Sequence, residues 1–246
     1  SLLLILIIVL SISSILPPKY ESEKSSYKKI IPLCTMFLAF FIIAIATNFD
    51  KFLPIFGIGC SIIICYGSLR AIYTNLLKSK NNIKKNFLKQ ASHLTHIGVA
   101  IFTIGAISAT AFQTYQQFTI SPGNEYQLGD YNFVYHSLTY ENLNKNGIDM
   151  EVSANISIFK ENNMIAELRP GKRFFNSNPN QPVGIVDIDR GITKDIYLFV
   201  QTWDEELNSQ FHIYINPFIN LLWLGGVIYL LGITVALVKY RVSYNE

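Results

Sequence analysis

The stretch ASHLTHIGVAIFTIGAISATAF, residues 91–112, decides the fold: it has the length and apolarity of a membrane helix, yet two histidines, His93 and His96, stand in its first turns. About 20 apolar residues cross the hydrocarbon layer. Ionisable side chains are costly there, so one that is present usually faces a protein interior or a cofactor. At 100° per residue, Ala100, Thr103, Ile107 and Thr110 share a face with His96, while Gly98, Gly105 and Ala109 gather on the opposite side. A flat macrocycle such as haem fits against so narrow a face, with an imidazole nitrogen on its iron. Two other readings stay open: small residues let neighbouring helices approach, and a histidine near a helix end snorkels or bonds a neighbour. His93, one turn nearer water, reads as interfacial, although an i, i+3 histidine pair can share a metal.

Outward from this helix the chain stays apolar. Half of its 246 residues are hydrophobic, 15% are charged and the mean hydropathy is +0.28, which excludes an ordinary soluble protein and predicts an integral membrane one. Residues 1–16 open directly inside an apolar run, with no initiator Met and no basic start. They read as a span cut by truncation, not as a signal peptide, and the chain reads as the C-terminal part of a longer protein. Residues 30–48, 53–76 and 217–238 are further spans, so the expectation is an α-helical transmembrane bundle of about five spans, the first truncated, with an inserted antiparallel β domain. The predicted division is 1–112 membrane helices with short loops, 113–216 outer polar domain, and 217–246 final helix and inner tail. Cys34, Cys60 and Cys65 all lie in apolar spans without CxxC spacing, as small buried hydrophobes do.

Charge sets the sidedness. Residues 17–29 hold Lys19, Lys24, Lys28 and Lys29; residues 77–91 hold Lys78, Lys80, Lys84, Lys85 and Lys89; the tail adds Lys239 and Arg241. Lys and Arg accumulate in short cytoplasmic loops, so these segments are expected inside, cytoplasmic or on the equivalent matrix side. The polar region then lies outside. Its 13 acidic and 7 basic residues leave it near −6, which excludes nucleic acid as a partner.

Within residues 113–216 the dominant period is two. Met150, Val152, Ala154, Ile156 and Ile158 alternate with Glu151, Ser153, Asn155 and Ser157, between the turn pairs Asn146-Gly147 and Asn162-Asn163. Residues 118–120, 131–140, 164–168, 173–175, 183–188, 196–201 and 211–215 also read as short strands. The sum is a small antiparallel barrel or sandwich. His136 and His212 fall in strands and read as hydrogen-bonded sheet residues. Two clusters, Pro170 to Phe175 and Asp187 to Asp195, set cations beside aromatics or carboxylates. They suit a propionate or a partner protein, or else a turn held by surface ion pairs. Phosphate loops, GxSxG, HExxH and CxxCH are absent, so a soluble-domain enzyme is not expected.

In order along the chain, His96-Ile97-Gly98-Val99-Ala100, Lys172-Arg173-Phe174-Phe175, Gly191-Ile192-Thr193-Lys194-Asp195-Ile196-Tyr197, and Pro217-Phe218 with Trp223, Gly225 and Gly226 resemble the motifs of the C-terminal region of the CcmF/NrfE haem lyase family of cytochrome c maturation. The departures are Gly171, where the family often has a glutamate, and Leu221, where it often has a second tryptophan. The resemblance implies a multi-pass protein of a bacterial or mitochondrial inner membrane that helps take haem from a haem chaperone and attach it to apocytochrome c alongside other maturation subunits. It also implies that His96 is one of two axial ligands to the iron of a membrane haem b, the second lying upstream. On that expectation the fragment alone has no lyase activity. The alternative from a different class is a non-catalytic membrane-anchored scaffold, or a transporter component, whose outer β domain docks a partner protein. Paired broken helices in two halves, the mark of a transporter, are not visible.

Overall fold

The computed structural model describes residues 7–11, 35, 38–39, 41–42, 45–46, 51–77, 88, 90–145 and 147–244. Most of the expected first and second spans lies outside the described residues. The chain divides into two compact units, residues 1–112 with 218–246, and residues 113–217.

In the helical unit, α1 is Phe52–Leu77, α2 is Ala91–Ala111 and α3 is Ile219–Tyr244. Among the described residues these three are long and apolar enough to cross a membrane. Glycines decide how α2 meets α3. A Cβ at Gly98 would overlap the Tyr229 backbone, one at Gly105 would overlap Leu222, one at Gly225 would overlap Phe102, and one at Gly232 would overlap Thr95. Each helix therefore offers two glycines seven residues apart, which lets the backbones touch where apolar side chains gain nothing from leaving lipid. The hydroxyls of Thr95, Thr103 and Thr110 bond back to the carbonyls of Ala91, Val99 and Ala106 at 2.8–2.9 Å, so they place no unpaired donor in hydrocarbon. On the other side of α2, Ala100 joins Ile7, Cys60 and Ile64 in a buried cluster.

The second unit is a β-sandwich. Its strands are β1 Thr114–Ile120, β2 Glu125–Leu128, β3 Tyr131–Lys145, β4 Ile148–Lys160, β5 Asn163–Leu168, β6 Gly171–Phe175, β7 Asn178–Ile185, β8 Asp187–Arg190, β9 Lys194–Trp203 and β10 Ser209–Pro217. One sheet runs β1-β10-β9-β8; the other runs β2-β3-β4-β6-β7, with β5 also on β4, and all pairings are antiparallel. Alternation puts one residue in two toward the opposite sheet. Phe118, Leu198, Val200, Phe211 and Ile213 of the first thus meet Phe133, Tyr135, Val152, Ile156 and Ile158 of the second in one core. Tyr135 stays polar at its tip, where its hydroxyl bonds Ser209 Oγ at 3.0 Å.

The turn chemistry is local. Lys160 pairs with Asn163 across Glu161 and Asn162, both at positive φ, the twist that joins antiparallel strands through two residues. The turn therefore sits one residue before the expected Asn162-Asn163 pair. Two other expectations need correction. Residues 183–188 are not one strand: β7 pairs with β6, whereas β8 pairs with β9, so the chain changes sheet at Val186. The Pro170 to Phe175 stretch is not a turn either. Gly171 opens β6 because only a residue without Cβ can lie against the Val152 carbonyl of β4. β2, short and polar between Gly123 and Gly129, had no periodic signal of its own.

Candidate functional site

His96 sits in the second turn of α2, half-buried, and neither its imidazole nor that of His93 hydrogen-bonds to a described residue. The rest of its face is not an open groove. Ala100 and Thr103 are each 0% exposed, and Ile107 Cδ1 lies 2.7 Å from where a Cβ on Gly57 of α1 would stand. Any flat ligand must therefore meet α2 at the histidine end and not along the small-residue row. What the residues present fit is a single axial ligand: an imidazole with no hydrogen-bond partner among the described residues, in an apolar helix. Among the described residues no group of three or more His, Cys, Asp or Glu could by itself hold a metal ion.

In the β unit the sequence-predicted clusters are largely occupied by their own domain. Arg173 Nε holds Glu151 Oε2 at 2.6 Å on the surface, and Lys172 donates to the Gln201 carbonyl with its ammonium 5.6 Å from the Trp203 ring centre. Asp187 accepts the Arg169 N–H at 2.7 Å. Of these contacts, Arg173 with Glu151 is an ion pair of the surface kind that the residues alone already allowed, and the others are bonds to backbone groups. Asp195 differs. It is 3% exposed, and its Oδ1 has no hydrogen-bond partner among the described residues. Burial pushes its carboxyl up, with Arg190 opposing and Asp189 adding to the rise.

The two domain histidines separate. His136 is exposed at a bulge between Tyr135 and Ser137, its Nε2 2.8 Å from Ser157 Oγ. His212 lies on the β10 face turned from the core, its Nδ1 2.9 Å from the Tyr115 hydroxyl. Its ring centre stands 5.0 Å from that of Phe199. Sequence reading treated His212 as an ordinary sheet residue and missed this pairing. The available signal was the alternation Tyr115, Gln117 and His212, Tyr214 on strands that flank the two membrane helices.

Apolar helices of spanning length and a β-sandwich define a membrane protein with one polar domain. Its relatives narrow this further. The family described as CcmF C-terminal beta-sandwich matches residues 111–217. The cytochrome c-type biogenesis protein CcmF of Pseudomonas aeruginosa is 26% identical over 152 residues, 61% of this chain and 22% of that protein. CcmF of Haemophilus influenzae is 28% identical over 152 residues, 62% of this chain and 23% of that protein, and NrfE of the same organism is 28% identical over 142 residues, 56% and 21%. A solved structure titled Cytochrome c Heme Lyase CcmF shares the fold, with a TM-score of 0.71 at 12% identity over 94% of this chain and 38% of that one. These matches support a likeness to the CcmF/NrfE-type family, in its C-terminal region. The chain spans less than a quarter of the length of these curated relatives.

Proposed function

We propose that this chain is the C-terminal part of a membrane protein of cytochrome c maturation, in which His96 supplies one axial imidazole to a haem b held within the membrane. Residues 1–112 provide the membrane helices of a bundle of about five spans, 113–216 an outer domain, and 217–246 the last helix and inner tail. The membrane in question is a bacterial or mitochondrial inner one. The partners are a haem chaperone, apocytochrome c and the other maturation subunits.

The observation that carries this reading is the His96 imidazole, without a hydrogen-bond partner among the described residues, in an apolar helix of a chain whose relatives above are named cytochrome c-type biogenesis proteins. The haem, when bound, supplies an iron that takes two axial bases and changes oxidation state. The chain's own residues do the positioning. The glycine contacts of α2 with α3 fix the helix that bears His96, and the packed row of Ala100 and Thr103 stops the ligand from sliding down it. His93 stands one turn nearer water and takes no part.

The test is a haem spectrum of the protein in its native membrane. His96→Ala is expected to reduce the bis-histidine low-spin signal by about tenfold or more, at least the scale on which outer-shell partners of metal sites act. His93→Ala is expected to leave it nearly intact. A haem signal that survives His96→Ala unchanged refutes the assignment, and loss only with His93→Ala transfers it to the other histidine.

A further inference from the structure

The β unit carries a further imidazole, His212, with aromatic neighbours on its own sheet face. On the sheet face turned from the core, His212 of β10 is flanked by Gln117 of β1 and Phe199 of β9. Tyr115 and Tyr214 stand opposite each other one rung along, their ring centres 4.8 Å apart. The Tyr115 hydroxyl, 2.9 Å from His212 Nδ1, ties that nitrogen. No described group bonds Nε2. When Nδ1 carries the proton and donates to Tyr115, the lone pair is on Nε2, the arrangement by which an outer hydrogen bond prepares a histidine to ligate a metal. Beside the ring, Val186, Tyr197, Phe199, Tyr214 and Asn216 line a shallow, almost wholly apolar hollow of about 200 Å³.

We propose that this face is a docking site for an iron porphyrin, with His212 Nε2 as the ligand to iron, Tyr115 as the positioning residue that fixes the ring, and Phe199, Tyr197 and Tyr214 as the wall against the macrocycle. This rests on the reading of the chain as a haem-handling protein, and it adds a site on the β domain to the one at His96. The chemistry suits exchange more than storage. A sheet face covers one side of a macrocycle and offers one axial base, so the other side stays free for a second ligand from a donor or an acceptor. His136 likewise has one ring nitrogen on a hydroxyl, Nε2 on Ser157 Oγ, but its hollow, where Ser137, Asn155, Glu167 and Arg169 stand with Ile156 and Leu168, offers no aromatic wall.

The experiment titrates ferric haem into the whole chain in lipid nanodiscs, in a His96→Ala background that removes the membrane ligand, with the Soret band and the electron paramagnetic resonance spectrum as readouts. One binding event with a histidine-ligated spectrum is expected. His212→Gln keeps a hydrogen-bonding group for Tyr115 but offers iron no imidazole, and should abolish that spectrum. Tyr115→Phe should weaken binding by about tenfold and shift the reduction potential while leaving the histidine-type spectrum in place, as loss of an outer-shell partner does. His136→Ala should change nothing. Binding that is indifferent to His212→Gln, equal loss with His136→Ala, or no binding at all in the His96→Ala chain overturns the proposal. The two readings fail separately: a membrane haem independent of His96 refutes the first, whereas a His96-dependent haem with a flat titration at His212 refutes only the second.

Discussion

Asp195 is where a single residue works against the fold that holds it. A carboxylate at 3% exposure with one oxygen unpaired loses hydration that Arg190 and the Gly191 N–H only partly replace, and its proton affinity rises accordingly. Folding therefore favours the protonated form. The stability this group contributes is complete below the ordinary carboxylate range, near pH 4, and is lost as pH rises through the raised native value. Asp195→Asn keeps the shape and removes the charge. At pH 7 it is expected to stabilise the protein by about 1 kcal/mol, the low end of the range for an unsatisfied buried group, and the gain should vanish below about pH 4. Thermal melts of both forms across that window check it, and a destabilised Asp195→Asn at pH 7 contradicts it. Nothing in the sequence marked Asp195 as buried, since DIDRGITKDIY reads as a charged hairpin. Only the register of β8 on β9, with Arg190 opposite Asp195, shows which face the carboxylate takes. His96 differs: a histidine in an apolar run of spanning length stands out in the sequence itself, and its role as a ligand is the reading proposed above.

At the scale of elements, period and turn residues carried most of the β unit. β4 follows the alternation from Met150 to Ile158 because one face of that strand meets the other sheet. The passage through Val186 was illegible. Ile185 and Val186 are both apolar, and a change of sheet between adjacent residues looks like one continuous strand. Helix pairing was half legible, since the small residues of α2 were visible but their partners on α3 were not. Those partners make a sharp prediction. Gly225→Ala places a methyl on the Phe102 amide and the Gly98 carbonyl, whereas Gly226→Ala meets nothing within 4 Å. Overpacking costs about 1–3 kcal/mol, and alanine in an exposed helix gains up to about 1 kcal/mol over glycine. In detergent, Gly225→Ala should lower the melting temperature, and Gly226→Ala should leave it level or raise it. Equal behaviour of the two variants would mean that α2 and α3 do not meet as described.

For the whole molecule the open quantity is sidedness, which follows from charge and not from packing. The nine lysines of residues 17–29 and 77–91, four and five, lie in short loops next to spans, where each resists translocation. Residues 113–216 form a large domain, for which charge is a weak guide, yet their balance of 7 basic against 13 acidic residues opposes nothing in outward transfer. The helices that flank the domain fit this assignment: α2 follows the second lysine-rich loop and α3 leads to Lys239 and Arg241. Both helices therefore start or finish on the lysine side, which obliges the chain between them to emerge on the other. On the proposed function, this sidedness also decides whether His212 would face the side on which a haem carrier or cytochrome is met. Single cysteines at Ser26 and Asn178, placed in a form with Cys34, Cys60 and Cys65 replaced by Ser, should react with a membrane-impermeant maleimide from opposite sides. In intact right-side-out vesicles Asn178→Cys should label at once and Ser26→Cys only after the membrane is opened. Labelling of both from the same side would reject the topology and, with it, the outward placement of the β domain.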